Sequence, residues 1–305
     1  MMKRRQFLGT AAAVVPAVTW SKLAQGGLVD LSDIRSRDTS PIEVVYKTPH
    51  GKPNGLDITR EGMWVMDQGP ENYISLIDPK DGRLIREFMP KNVRAASGIG
   101  IDDDGTMWIG STYNRMIVHI DPKSGNTIAA YQTPGAGLIY RVEGDPPGRS
   151  TNLKPAYPPT EPPRQRPANE PARLPDGQVS LDADVAPAGT GAHCILPKGD
   201  ALYVAVPPAR AIFTINKKTW RVTDMWQAAG NRSHDMTWAD AGKTKLWASD
   251  SNLNAFYLHD MRTGAILEKL QLPTDSPVIH GAKIWNGHMY FCDDVGWMCR
   301  FKMPA

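Results

Sequence analysis

Cysteine is scarce in this chain: three residues, Cys194, Cys292 and Cys299, among 305. That count excludes a disulfide framework and leaves at least one thiol unpaired. Cys292 and Cys299 are spaced to face each other across a hairpin, which allows one bridge in an oxidising compartment; all three otherwise read as small buried apolar residues. Long apolar runs are missing too. The one candidate, in "MMKRRQFLGTAAAVVPAVTW", is short, weak and broken by Pro16, so no stable membrane insertion is expected. Nor is there an excess of basic charge. The net charge is +3, but Lys3, Arg4, Arg5 and Lys22 fall in the first 27 residues with no acid; taking these four away leaves about −1. A near-neutral body excludes nucleic acid as a partner, since binding phosphates needs a basic face.

What is present begins with that basic start. "KRRQFLG" resembles a twin-arginine export signal, with paired Arg4 and Arg5 followed by Phe7 and Leu8. An ordinary secretory leader with a chance arginine pair is the alternative. Residues 1–27 are therefore expected to be removed, with cleavage near Ala24. The twin-arginine translocase becomes a transient partner, and the mature protein is periplasmic or secreted. This signal class carries folded proteins, often with a cofactor already inserted.

The remainder is repetitive. "PNGLDITREGMWVMDQGPENYISLIDPKDGRLIREFMP" aligns almost without gaps with "ASGIGIDDDGTMWIGSTYNRMIVHIDPKSGNTIAAYQTP". Three further copies start at Ala192, Ser233 and Pro277. Each reads as four short strands joined by Gly-containing turns, such as "PKDG", "PKSG" and "MRTG". Four-strand units of roughly 40 residues predict an all-β propeller rather than a two-sheet sandwich. The fifth copy stops after its third strand, and "IEVVYKTP", Ile42 to Pro49, has the missing fourth-strand pattern. Five blades over 42–305, closed by an N-terminal strand, are therefore expected. Gly135 to Thr190 fits no blade. Its "DPPG" and "PAYPPTEPPRQRPANEPARLP" predict an extended Pro-rich insertion between blades two and three, either a floppy loop or a lid.

In a propeller the first strand of each blade lines the central channel. The residues at the start of that strand are Asn54, Ser97, His193, His234 and His280. With seven histidines in 305 residues, three in five equivalent places has a chance on the order of one in 10^4 for a given column. Two readings follow. Hydrogen-bonded channel histidines with water between them are one. A metal site is the other: His193, His234 and His280 around a divalent Zn, Cu, Fe or Mn ion, with a position left open for water or substrate. The ends of the second strands add Asp67, Asp250 and Asp293 on the same face. They would orient the histidines or act as a base, or they simply cap turns. Asp250 and Asp293, with His50 in the approach to blade one, are the candidate catalytic acid–base groups. Asn54 and the rim residues Tyr73, Tyr113, Arg210, Asn252 and Trp297 are the candidate substrate contacts. His119, His259 and His288 read as structural.

"NGLDITREGMWVMDQGPENYISLIDPKDG" and "SGIGIDDDGTMWIGSTYNRMIVHIDPKSG" resemble the repeats of streptogramin (virginiamycin B) lyases, a group related to the gluconolactonase and NHL-repeat propellers. The resemblance runs from about Ile42 to the end, outside the insertion. It implies a propeller whose chemistry sits on one face, since those lyases open a cyclic ester by metal-assisted elimination using His and Glu. This chain departs from the pattern. No Glu accompanies its three histidines, it has five units where those lyases have seven blades, and the Glu/Asn/Asp metal site of the six-bladed lactonases has no match. The expected function is a metal-dependent lyase or hydrolase acting on a small ester, lactone or related molecule; the alternative is a non-catalytic propeller that binds a ligand or protein partner.

Overall fold

The computed structural model describes residues 29–69, 71–138, 145–154 and 189–304. Residues 1–27, where an export signal is expected, and most of the Pro-rich insertion lie outside them. Among the described residues no helix is long and apolar enough to cross a membrane.

Two strands precede the first repeat, β1 (Arg35–Asp38) and β2 (Glu43–Lys47). Blade one is β3 (Pro53–Thr59), β4 (Gly62–Asp67), β5 (Ile74–Ile77) and β6 (Leu84–Phe88). Blade two is β7 (Gly98–Ile101), β8 (Met107–Ser111), β9 (Met116–Ile120) and β10 (Thr127–Gln132). Blade three is β11 (Cys194–Lys198), β12 (Ala201–Val206), β13 (Ala211–Asn216) and β14 (Arg221–Gln227). Blade four is β15 (Ser233–Trp238), β16 (Lys245–Asp250), β17 (Ala255–Asp260) and β18 (Ile266–Gln271). Blade five has three strands of its own, β19 (Ala282–Trp285), β20 (His288–Cys292) and β21 (Trp297–Lys302), and takes β2 as its fourth. The register is Glu43↔Arg300, Val44↔Cys299, Tyr46↔Met298 and Lys47↔Trp297. The closure expected from the truncated fifth repeat is thus present. The sequence reading missed β1, which adds a parallel fifth strand to the outer edge of blade four.

Burial follows the strand order. β4, "GMWVMD", is buried along its length, whereas β6, "LIREF", is exposed over most of its own. Second and third strands read as near-continuous apolar runs because both their faces meet a neighbouring blade. The apolar clusters accordingly sit between blades. Trp64, Met66 and Leu76 of blade one pack on Ile99, Ile109 and Val118 of blade two. Tyr290, Cys292 and Met298 of blade five pack on Leu56, Met63 and Val65 of blade one.

At the channel the first strands meet backbone to backbone. A Cβ on Gly55 would come within 2.5 Å of the Ser97 carbonyl, one on Gly98 within 2.8 Å of the His193 carbonyl, and one on Gly281 within 2.7 Å of the Leu56 nitrogen. These glycines follow Asn54, Ser97 and His280 directly, so they let the site residues of adjacent blades approach. Blades three and four carry Cys194 and Asp235 at the same place. The buried Asp235 carboxylate accepts the Cys194 thiol at 2.8 Å, Ala282 N–H at 2.7 Å and Leu56 N–H at 3.3 Å. One side chain of blade four thereby ties blades three, five and one, and fills the channel one residue beyond the histidines.

The cysteines are all free and buried. Cys299 pairs in register with Phe291, and Cys292 with Met298. The two are offset by one residue and point to opposite faces of the sheet, so the allowed bridge does not form.

Candidate functional site

His193 stands immediately before β11 and His280 two residues before β19, and each ties its backbone N–H to its own second strand, on Ala205 and Cys292, at 2.9 Å. His234 is the second residue of β15, in a stretch where the register with β16 slips between Ser233 and Met236. The three rings do come together. The His193 and His234 centroids are 4.9 Å apart at 70°, and those of His234 and His280 are 4.4 Å apart at 66°. This is an edge-to-face chain with His234 in the middle. All three are buried, and Nδ1 of each, with Nε2 of His193, lacks a hydrogen-bond partner among the described residues. Asn54 and Ser97 complete the layer. Asn54 keeps a buried, unpartnered Oδ1, and Ser97 Oγ accepts Gln68 Nε2 at 2.8 Å.

Burial holds these imidazoles neutral. It lowers His193 to about 3 and His280 to about 4, with the Arg232 guanidinium adding to both; His234 falls well below its ordinary value through burial and its two neighbours. An unfolded histidine titrates near 6.5. Between about pH 6.5 and 4 the unfolded chain therefore binds protons that the folded one refuses, and stability falls as pH falls through that window. Asp293, raised to about 6 chiefly by burial, acts in the opposite direction. We expect the wild-type urea midpoint to drop between pH 7 and pH 5, and a His193→Gln/His280→Gln variant to drop less; equal drops would contradict this account.

The aspartates at the ends of the second strands share one job. Asp67 accepts Lys52 N–H at 2.7 Å and Gly69 N–H at 2.6 Å. Asp250 accepts Arg232 N–H at 2.8 Å, Asn252 N–H at 3.0 Å and Leu253 N–H at 2.9 Å. Asp293 accepts Val295 N–H at 3.0 Å and Trp297 N–H at 2.8 Å through Oδ1. Each carboxylate pins the loops that rim the channel, which is the turn-capping reading. Asp293 alone of the three keeps a buried oxygen, Oδ2, without a partner.

The remaining candidates are dispersed. His50 stacks on Tyr73 with centroids 4.1 Å apart, and its Nε2 lies 2.9 Å from Glu87 of β6. This pair belongs to the flank of blade one. Tyr113 is exposed in the turn after β8. Asn252 donates to Asn231 Oδ1 at 2.8 Å. Trp297 is the first residue of β21 rather than a loop residue, and its indole N–H donates to the Lys154 carbonyl at 3.2 Å. Arg210 is buried and makes two 2.8 Å bonds to Asp145.

Asp145 and Lys154 bound the middle described piece of the Pro-rich insertion. Its stem is an antiparallel bridge between Gly137 and Thr190. Residues 145–154 then reach from Arg210 of blade three to blade five, where Thr151 N–H donates to Asp294 Oδ1 at 3.0 Å and Thr151 Oγ1 accepts Val278 N–H at 2.9 Å. Beneath this strap lies a cavity of about 210 Å³. His280, Asn54 and Gln68 line it together with Lys52, Arg149, Arg232 and Asp294. Sequence reasoning missed both arginines, since each is a single charge in a loop with no repeated partner.

No group of three or more His, Cys, Asp or Glu side chains among the described residues is arranged to hold a metal ion. The histidine column has the donor chemistry, but an arginine beside all three rings opposes a second cation.

No family model and no curated protein matches the chain. Solved structures do. The glutaminyl cyclase of Myxococcus xanthus superposes with a TM-score of 0.55 at 7% identity, over 90% of this chain and 100% of that one. A catalytically inactive virginiamycin B lyase from Staphylococcus aureus with quinupristin gives 0.45 at 18%, over 84% and 68%. A streptogramin B lyase gives 0.43 at 14%, over 87% and 98%. At these identities the likeness is one of fold.

Proposed function

We propose that this propeller is an exported lyase or hydrolase acting on a small ester, lactone or related carbonyl compound at the mouth of its channel. The observation that carries the reading is the column of three buried, neutral imidazoles whose Nδ1 atoms, with Nε2 of His193, find no partner among the described residues. A buried polar atom left unpaired is unfavourable unless water or a ligand meets it. His280 also lines the cavity, so a molecule seated there meets an unprotonated base. That imidazole takes a proton from the substrate or from an attacking water; burial and Arg232 keep it neutral beforehand, and His234 packs against it in edge contact. Arg232 stands where negative charge would build on a carbonyl oxygen. The strap 145–154 acts as the lid. The glutaminyl cyclase name belongs to the protein that bears it; at 7% identity it supports the architecture and not the reaction.

Metal ligation by His193, His234 and His280 is the second reading, favoured by the same orphaned nitrogens. Export rests on "KRRQFLG", with the twin-arginine translocase as the partner in transit.

One preparation tests these readings together. The untagged chain, expressed with its own leader, is expected in the periplasmic fraction, free of stoichiometric metal, and active on a member of an ester and lactone panel. His280→Asn should lower kcat/KM by about 100-fold or more with the fold intact, as loss of an acid–base group does. A stoichiometric transition metal would move the assignment to the metal-dependent reading. Inactivity across the panel, or a fully active His280→Asn, would leave a non-catalytic binding propeller.

A further inference from the structure

We propose that the cavity at the channel mouth binds a small organic anion, its carboxylate- or phosphate-type oxygens held by Arg232, Arg149 and Lys52 beside His280. This deepens the proposed function by naming a substrate class. It rests on that reading for the location of the site and not for the chemistry performed there.

The argument starts from charge. Three cationic side chains and one carboxylate, Asp294, line the same 210 Å³. None of the three cations makes an ion pair within 4.0 Å of a described residue. Other sheltered cations here are matched: Arg210 by Asp145 at 2.8 Å, Lys217 by Asp102 at 2.6 Å, and Lys283 by Asp235 at 3.5 Å. Arg232 is half-buried, and its loop is fixed because Asp250 holds its backbone N–H. The acids around it are occupied elsewhere. Asp250, Asp67 and Asp293 cap backbone N–H groups, and Asp294 accepts Thr151 N–H. A guanidinium on a fixed loop, partly desolvated and without a direct ion pair among the described residues, is what an incoming oxyanion satisfies through charge-assisted bonds.

Two further observations point inward. His280 and Asn54 are 2% and 5% exposed, line the cavity, and carry unpartnered Nδ1 and Oδ1 atoms. They are suited to the uncharged part of the same molecule. Arg149 sits on the strap, so an anion would join strap to blades by a bond neither makes alone. The volume equals that of about seven liquid waters, which suits a compound with roughly as many heavy atoms.

The test is calorimetric titration of the purified protein at low ionic strength with succinate, inorganic phosphate and uncharged succinamide. Succinate or phosphate is expected to saturate one site, and competition between them identifies the preferred headgroup. Succinamide is expected not to bind. Arg232→Gln should weaken binding by tenfold or more and Arg149→Gln by several-fold, each with an unchanged near-UV circular dichroism spectrum. Arg149 lies outside the blades, so its variant keeps the test valid if Arg232→Gln does not fold. No binding of either anion, equal binding of succinamide, or an affinity untouched by both variants would overturn the proposal. Anion binding without turnover on any substrate would overturn the enzymatic reading and leave this one standing.

Discussion

A protein lacking residues 1–49 is expected to show no cooperative melt and to aggregate. Removing β2 uncovers Trp297 to Arg300 of the six-residue β21, whose far edge would then offer unpaired N–H and C=O groups to any other chain. It also removes Tyr46, which packs in the cluster between blades five and one and donates to the Pro79 carbonyl at 3.2 Å. The Tyr46 ring lies so close to Gly82, which has φ +75, that a Cβ there would come within 2.4 Å of it. The ring of blades would thus lose its closing strand and part of one inter-blade core. A deletion through Asp38 is the control. Its losses are β1, whose polar "RSRD" pairs along one edge and makes an Arg37–Glu268 ion pair, and Leu31, which packs on Ala229, Ala255 and Tyr257. We expect that deletion to lower the melting temperature by a few degrees, in line with about 1–2 kcal/mol. A melting temperature unchanged by the longer deletion would show that blade five closes without β2.

Lys283→Ala is expected to lose about 3–5 kcal/mol, because it strips the counter-charge from buried carboxylates. Lys283 is 2% exposed; its ammonium donates to the Met236 carbonyl and lies 3.5 Å from Asp235 Oδ1. Burial alone would pull its pKa down, but Asp235 and Asp57 outweigh burial and hold it up at about 12. Those carboxyls are themselves pushed up by burial, with Lys283 opposing the rise in both. Without the lysine they rise further. A carboxyl whose folded pKa lies above its unfolded value near 3.9 destabilises the fold as pH increases past that value. The deficit of Lys283→Ala should therefore be larger at pH 8 than at pH 5. Denaturant melts at the two pH values check both size and slope. A loss under about 1 kcal/mol at pH 8 would mean that water reaches this cluster and screens it.

The blades were legible because each repeats one text, and a repeat exposes its own incomplete copy: "CRFKM" with no strand after it pointed to "IEVVYKTP" before blade one. The histidine column was legible for the same reason, as equivalent places in equivalent strands. What the repeat does not encode stayed hidden. β1 has no apolar alternation and reads as loop. Asp235 and Lys283, in "SHDMTW" and "AKIW", look like the solvent-facing half of alternating strands. Only the closeness of five first strands turns them inward. Arg232 and Arg149 are single charges between elements, and the cavity they share needs three separate loops to meet. The aspartates at the strand ends were visible as a set, but their partners are backbone N–H groups of the following turns, which no side-chain pattern announces.

The Asp235 junction also bears on traffic through the molecule. Its carboxylate joins blades three, four, five and one at a level one residue past the three histidines, so the first strands are bonded to one another across the axis there. The segment 145–154 crosses the mouth on the histidine side, where Arg149 and Ser150 line the cavity with His280. Under the proposed function, entry and departure would then depend on that segment. On that reading the contacts whose loss would free the opening are Arg210 with Asp145 and Thr151 with Asp294.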